Sequence, residues 1–381
     1  MKRWVGAELM QGRLIFIGML AVIPFFICYP GRGLSQSRGI NPEPVVKRED
    51  CRILFWNLEN YFDTRDDLST ADDDFTPMGE MHWSRKKFNA KRNAIAKYIL
   101  LLSGDNMPVI ASFAEVENKY VINQLLMETP LSAYGYGVIH RDSPDRRGID
   151  VALIYLRERY TPVSTQFIRI TADSLLRTRL ILYSKGVLDG LDTLHLFINH
   201  WPSKFGGERA TEGARRGAAE ALGRVTDSIF FKNRSANIVV TGDFNEEPEA
   251  SAAATIPYLK NLSISATMKY FSENSTFSKG SSEEKTSSVI VPVRKSNILG
   301  TIKFMGAWEL IDHFLVSPNL LNVNEPIFCG EGAMEILAHP YLMEEDRKFT
   351  GRKPRRTYVG PRYNGGVSDH LPIMLTIKRS W

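Results

Sequence analysis

Carboxylates, carboxamides and histidines arrive in this chain where apolar, β-branched runs stop. In Asn237–Pro248 (NIVVTGDFNEEP) the run Ile238-Val239-Val240 ends at Gly242 and presents Asp243 and Asn245, two residues apart. Side chains alternate along a strand, so this spacing aims Asp243 and Asn245 the same way. A carboxylate beside a carboxamide can orient a water and hydrogen-bond a phosphoryl oxygen; the plain alternative is an Asx turn closing a core strand. Asn57 and Glu59 repeat the arrangement at the end of the run 52–57. Glu115 follows 109–113, His200 follows 194–199, Asp312 lies within 308–316, and Asp369 and His370 precede 373–377. Each alone has a dull explanation, since a single histidine is usually a structural hydrogen-bonding group and a single aspartate a cap or an exposed charge. Their repeated placement at strand ends, across more than three hundred positions, points to one assembled site.

The elements that must hold these groups follow from periodicity. Phe88, Ile95, Tyr98, Ile99 and Leu102 recur at helical spacing over 84–103, Val121, Ile122, Leu125 and Leu126 mark a second helix, and Ala218, Leu222, Val225 and Ile229 a third over 213–231. Strands are expected at 52–57, 109–113, 136–140, 149–155, 164–170, 177–184, 194–199, 237–240, 308–316 and 373–377, a mixed α/β pattern. The polar turn 141–148 carries Arg146 and Arg147, which either face a phosphate or decorate a hairpin. Asp72-Asp73-Asp74 reads as a solvated turn more readily than as a cation site. From 263 to 300 the composition shifts to Ser, Lys and Glu, a long excursion rather than a domain boundary.

Length and composition describe a globular chain of 381 residues, 43% hydrophobic and 24% charged. The net charge of +5 falls to +2 once residues 1–35, with Lys2, Arg3, Arg13 and Arg32 against Glu8, are set aside, so charge alone says little about nucleic-acid binding. Basic residues, the apolar run 14–27 and small residues at 31–37 fit a secretory signal peptide over 1–35, too short for a comfortable membrane span. Cleavage near Gln36 leaves a linker at 36–50, a single domain at 51–381 and no stable membrane anchor, and places the protein outside the cell or in the periplasm. Cys28 lacks the small preceding residues that lipidation requires. Cys51 and Cys329 then remain, either as a disulfide or as two buried thiols.

Seven ordered motifs carry a family resemblance: WNLEN at 56–60, AEVEN at 114–118, RRGIDVAL at 146–153, NHWPSK at 199–204, GDFN at 242–245, IDH at 311–313 and SDHLP at 368–372. In this order they resemble the endonuclease/exonuclease/phosphatase superfamily, and more narrowly its bacterial extracellular nucleases. The resemblance implies a DNase-I-like four-layer α/β sandwich, two packed mixed β-sheets flanked by helices. It also implies roles: Glu115 as chief ligand of Mg²⁺ or Mn²⁺, with Asn57 and Glu59 assisting; Asp243 activating water; Asn245 supporting the phosphoryl group. Asp312 would orient His370, His200 and His370 would contact the phosphate, Asp369 would complete the network, and Arg147 would bind substrate. Ala114 departs from the glutamine common before the metal-binding glutamate. The function so implied is a secreted, divalent-metal-dependent phosphodiesterase acting on nucleic acid. The rivals are a phosphatase or phospholipase C-type hydrolase acting on phosphoinositide or sphingomyelin headgroups, and a noncatalytic binding module. Oligomeric state is not legible.

Overall fold

The computed structural model describes residues 49–171, 177–248, 289–290 and 300–380; the apolar leader, nearly all of the linker and most of the 263–300 excursion lie outside them. β1 (Cys51–Tyr61) carries the first apolar run on through Asn57 and Glu59. α1 (Arg85–Ser103) begins where Ser84 accepts the Lys87 N–H and ends at Gly104, whose φ of 56° lets the chain turn away. β2 (Ile110–Val116) leads to α2 (Lys119–Met127), capped by the Asn118 side chain, and β3 (Tyr136–His140) and β4 (Asp150–Leu156) flank the arginine-bearing turn. The meander continues through β5 (Tyr160–Ile168), β6 (Ile181–Leu188) and β7 (Asp192–His200). α3 (Glu208–Lys232) then returns the chain to β8 (Asn237–Asp243), parallel to β7.

After β9 (Val289–Ile290), β10 (Ile302–Phe304) and β11 (Ala307–Glu309) pair as a hairpin. The strand expected at 308–316 is therefore broken, and only β12 (Asp312–Val316) pairs with β8. β13 (Ile327–Ile336) and two small hairpins occupy a stretch in which the sequence marked no strand. They are β14 (Met343–Glu345) with β15 (Arg352–Pro354), and β16 (Tyr358–Val359) with β17 (Arg362–Tyr363). β18 (Ile373–Arg379) inserts between β1 and β13.

Two six-stranded mixed sheets result, ordered β13-β18-β1-β2-β4-β3 and β5-β6-β7-β8-β12-β9. Leu194, Leu196 and Ile198 of β7, Val239 of β8, and Phe314 and Val316 of β12 share one apolar core with Ile53, Phe55, Ile373 and Leu375 of the first sheet. The intervening Phe197, Ile238, Val240 and Leu315 turn outward and pack with Ala218, Leu222 and Phe230 of α3. Phe88, Ile95, Val121 and Leu125 of α1 and α2 join the cluster of the first sheet. This is the four-layer α/β sandwich. Period-two alternation extends the inner face of β7, β8 and β12 to His200, Asp243 and Asp312, so the core-facing rows end in chemistry.

The possible disulfide fails on register. Cys51 and Cys329 are each the cross-strand partner of Ile377, on opposite sides of β18. Two strand spacings separate their backbones by roughly 9–10 Å, whereas a disulfide spans about 4.4–6.8 Å between Cα atoms. Both are buried thiols, and burial pushes Cys51 up to about 12. Alkylation of protein lacking residues 1–35, under denaturing conditions, should add two labels whether or not reductant is present, as read by intact mass.

Candidate active site

His200, Asp243 and Asp312 stand side by side: His200 is the partner of Asp243 across the parallel β7/β8 ladder, and Asp312 its partner across β8/β12. All three are almost wholly buried. Asp243 is held from two directions, by Asn57 Nδ2 donating to Oδ2 at 3.0 Å and by the Asn245 N–H donating to Oδ1 at 2.9 Å. The Asn245 side chain in turn donates to the Trp201 carbonyl. Two imidazoles face the Asp243 carboxylate, His200 with Nε2 at 3.6 Å and His370 with Nε2 at 3.9 Å.

His370 reaches the site from the loop before β18, and that loop is tied to the end of β1. Ser368 donates to the Asn57 carbonyl at 2.6 Å and accepts the His370 N–H at 3.0 Å, while the Trp56 indole donates to the His370 carbonyl at 3.0 Å. The ring then lies with Nδ1 2.7 Å from Asp312 Oδ2, which also accepts from the Thr301 hydroxyl at 2.5 Å. Asp312 therefore orients His370, as the resemblance implied, with Nε2 free to face Asp243.

The two histidines are in opposite states. Burial holds His200 well below the usual imidazole range, reinforced by Arg179, Arg147 and His370, so it is neutral. Burial also opposes charge on His370, but Asp312, Asp243 and Asp369 overcome it and lift that ring well above the usual range, so it is a cation. Asp243 is raised to about 7, first by burial and then by Asp312. A carboxylate so placed exchanges a proton near neutrality.

Glu115 ends β2 at a bulge, with φ at 58°. Its Oε2 accepts the Asn60 N–H at 2.9 Å, and Oε1 lies 3.7 Å from Arg147 Nη2 and 3.9 Å from His200 Nε2. Asp369 pairs with Arg356 Nη2 at 2.9 Å. A cavity of about 420 Å³ joins Glu115, Arg147, His200, Asp243, Asn245, Asp369 and His370 with Phe205, Phe304, Lys353 and Arg356. Its carboxylate and amide oxygens are the hard donors that Mg²⁺ or Mn²⁺ takes. Glu115 lines the cavity with no protein contact to Oε1 shorter than 3.7 Å among the described residues, and Asn57 Oδ1, which accepts the Glu59 N–H, retains a lone pair.

Glu59 departs from its expected role as a metal ligand. Alternation would have kept Asn57 and Glu59 on one face, but β1 bulges between Asn57 and Tyr61, with Glu59 at φ 45° and Asn60 at φ 56°. The Glu59 carboxylate does not line the cavity and is held by the loop opposite: Oε1 accepts from Arg356 Nε at 2.7 Å and Oε2 from the Thr357 N–H at 2.8 Å. Arg356, Thr301 and the buried Lys91, whose ammonium donates to the Glu59 carbonyl and to Thr357 Oγ1, were missed from sequence. They lie in a helix or in segments without a strong period. The signal in sequence was the pair of basic residues, Lys91 and Arg92, among the apolar positions of the buried face of α1.

The arrangement offers hard oxygen donors that would suit a divalent cation, beside a buried His370–Asp312 pair facing Asp243. A model of the Endonuclease/Exonuclease/phosphatase family matches residues 52–379, and this match gives the class, a hydrolase of phosphoric esters. The chain belongs to that family. Among solved structures, the mannosyl-6-phosphatase of Bacteroides thetaiotaomicron is 13% identical, with a TM-score of 0.51 over 87% of this chain and 100% of its own. A family member from Bacteroides vulgatus is 15% identical, with a TM-score of 0.49 over 87% and 100%. D. rerio TDP2 complexed with a single-strand DNA product is 13% identical, with a TM-score of 0.48 over 87% and 100%. No curated protein sequence matches. The first of these structures, at 13% identity, establishes a shared fold and nothing finer.

His313, the neighbour of Asp312 in the IDH motif, points to the opposite face and stacks on Phe244 at 4.1 Å. Neither ring nitrogen has a hydrogen-bond partner among the described residues, and burial lowers it to about 3. The unfolded chain binds a proton at this histidine below about 6.5 while the folded chain does not. This stability is therefore full above that pH and is lost as pH falls toward 3, by up to about 1.4 kcal/mol per pH unit. Denaturant unfolding of His313→Phe should show a shallower loss of stability between pH 6.5 and 4.5 than wild type; parallel curves would reject the assignment.

Proposed function

We propose that the chain is an exported nuclease, a Mg²⁺- or Mn²⁺-dependent phosphodiesterase that hydrolyses nucleic acid by direct attack of water. The observation that carries the reading is the buried cluster of Asp243, His370 and Asp312 opening into a cleft lined by Arg147 and Arg356 and by the exposed rings of Phe205 and Phe304. Arginines suit phosphates, and bare aromatic rings beside them suit bases, which stack with little regard to sequence.

In this reading Glu115, with Asn57, would hold the cation, which supplies electrostatic stabilisation of charge on the phosphoryl oxygens. Asp243, raised to about 7 by burial and by Asp312, takes the proton of the attacking water. His370, cationic and fixed by Asp312, hydrogen-bonds a nonbridging oxygen. Neutral His200 offers a second, uncharged donor to the same group. Asn245 fixes Asp243 through its N–H. Arg147 draws the substrate's phosphate toward Glu115.

Asp243→Asn preserves shape and removes the base, and His370→Ala removes the cation; each should lower turnover of DNA or RNA by about 10²–10⁴-fold with the melting temperature little changed. Wild type assayed on plasmid DNA, RNA, phosphoinositide and sphingomyelin, with Mg²⁺, Mn²⁺ or chelator, tests the substrate class. Turnover confined to the lipids would replace the nuclease reading by the phospholipase one.

Export rests on the leader composition at 1–35. Intact-mass measurement of protein recovered outside the cytoplasm should give a chain starting near Gln36, and a membrane-retained full-length species would reject this.

A further inference from the structure

We propose that Arg356 binds a substrate phosphate directly and that Glu59 and Asp369 are its positioning residues, so that a second guanidinium serves the cleft beside that of Arg147. The inference rests on reading the cleft as a phosphodiesterase site.

Arg356 sits between β15 and β16 on a backbone fixed from several sides. Its carbonyl accepts the Gly366 N–H at 3.0 Å and Asn364 Nδ2 at 3.2 Å. The next residue, Thr357, donates its N–H to Glu59, donates its hydroxyl to the Val367 carbonyl at 3.1 Å and accepts from Lys91 Nζ at 2.7 Å. Gly366 is required for this crossing, because a Cβ there would overlap the Arg355 carbonyl. A side chain mounted this way is aimed by the fold, not by its own rotamers.

The guanidinium is fixed at two of its three nitrogens, Nε on Glu59 and Nη2 on Asp369. Nη1 has no partner among the described residues. The side chain is half-exposed and lines the same cavity as Glu115, Asp243 and His370. An arginine that served only to tie the loop would have no reason to keep a nitrogen and half its surface at the catalytic cleft. Long side chains lose about 2 kcal/mol of rotamer freedom when ordered, and here Glu59 and Asp369 impose that order before substrate arrives. Phosphate then meets a fork already in place.

Glu59 supports the same conclusion. A carboxylate at φ 45°, buried and bonded through both oxygens, is a costly arrangement to keep for a loop contact alone. Both its oxygens are engaged by Arg356 and Thr357, and Glu59 does not line the cavity.

The test uses the exported chain, residues 36–381, as wild type and as Arg356→Gln, Arg356→Lys and Glu59→Gln, each checked for folding by thermal melting. Steady-state kinetics on bis(p-nitrophenyl) phosphate with Mn²⁺ are read beside calorimetric binding of Mn²⁺ alone and of inorganic phosphate in the presence of Mn²⁺. A lost charged hydrogen bond corresponds to about a 10–100-fold change. Arg356→Gln should raise KM and weaken phosphate binding by that factor, and Arg356→Lys should recover only a small part because lysine lacks the fork. Glu59→Gln should shift both in the same direction by a smaller factor. Mn²⁺ affinity should stay within about twofold of wild type in all three. Wild-type KM and phosphate affinity in Arg356→Gln would overturn the substrate role; should that variant not fold, the same result in Arg356→Lys does so. A tenfold or greater loss of Mn²⁺ affinity in Glu59→Gln would make Glu59 a metal ligand and overturn the positioning role. If wild type turns over no diester, the phosphodiesterase reading fails, while the calorimetric comparison still decides between the two roles of Arg356.

Discussion

Two carboxylates, Asp243 and Asp312, are direct cross-strand neighbours at the end of an apolar sandwich, and each is nearly sealed from water. Like charges so placed repel in a medium of low dielectric, and Asp243 is raised by its burial and by Asp312, so its ionised form needs a nearby cation or donor. Much of the surrounding architecture answers that requirement. His370 supplies the cation, and reaching Asp312 demands that the loop before β18 cross to β12 from the first sheet, held there by Ser368 and Trp56. Asn57 supplies a donor from the end of β1. The two sheets are thus joined at this end by polar bonds, Asn57 to Asp243 and His370 to Asp312, while a buried ion pair of Arg379 with Asp189 joins them at the far end of β18.

The backbone is strained where those bonds converge. Glu59, Asn60, Glu115 and Asn245 are all non-glycine residues in the left-handed region, each at or beside a strand end that feeds the cleft. Such conformations cost of order 1–3 kcal/mol each, and the large shared core is what tolerates them, since each fully buried Leu, Ile or Phe contributes roughly 1.5–3 kcal/mol. Gly242 reflects the same crowding without strain. It is extended, but a Cβ there would collide with the Asn199 backbone, so β7 and β8 approach closely enough for His200 and Asp243 to meet.

The strands that carry His200 and Asp243 were legible because a largely apolar run leads up to the functional residue. Alternation misplaced Glu59, since a bulge reverses it and no composition signal announced the bulge: Leu58 and Asn60 read as an ordinary continuation. The strand expected at 308–316 failed for a related reason. Gly306 permits a hairpin whose arms are only three residues long, and Leu310-Ile311 then bridges to β12 as buried apolar sequence indistinguishable from a strand. Residues 343–363 were silent because β14 to β17 are two- and three-residue arms in which period cannot express itself, and β13, though ten residues long, is interrupted by Gly330, Gly332 and a bulge between Cys329 and Met334. Arg356 belongs to that silent stretch, and only the fold brings it 297 positions back to Glu59.

The site divides into two halves that ask different things of the chain. In the buried half, Asp243, Asp312, His200 and His370 exclude water, which makes each proton position matter: one ring is cationic and the other neutral although both face the same carboxylate. The difference traces to their neighbours, since His370 Nδ1 meets a carboxylate while His200 Nδ1 meets nothing among the described residues and feels Arg179 and Arg147. In the open half, Glu115, Asp369, Arg147 and Arg356 remain partly solvated, so their charges are screened and can be rearranged by an incoming anion or cation at modest cost. Proton chemistry needs the fixed, dry arrangement; binding a charged polymer needs the wet one. The strand ends lie where the sandwich core stops, and there a single fold supplies both environments within the width of one phosphate.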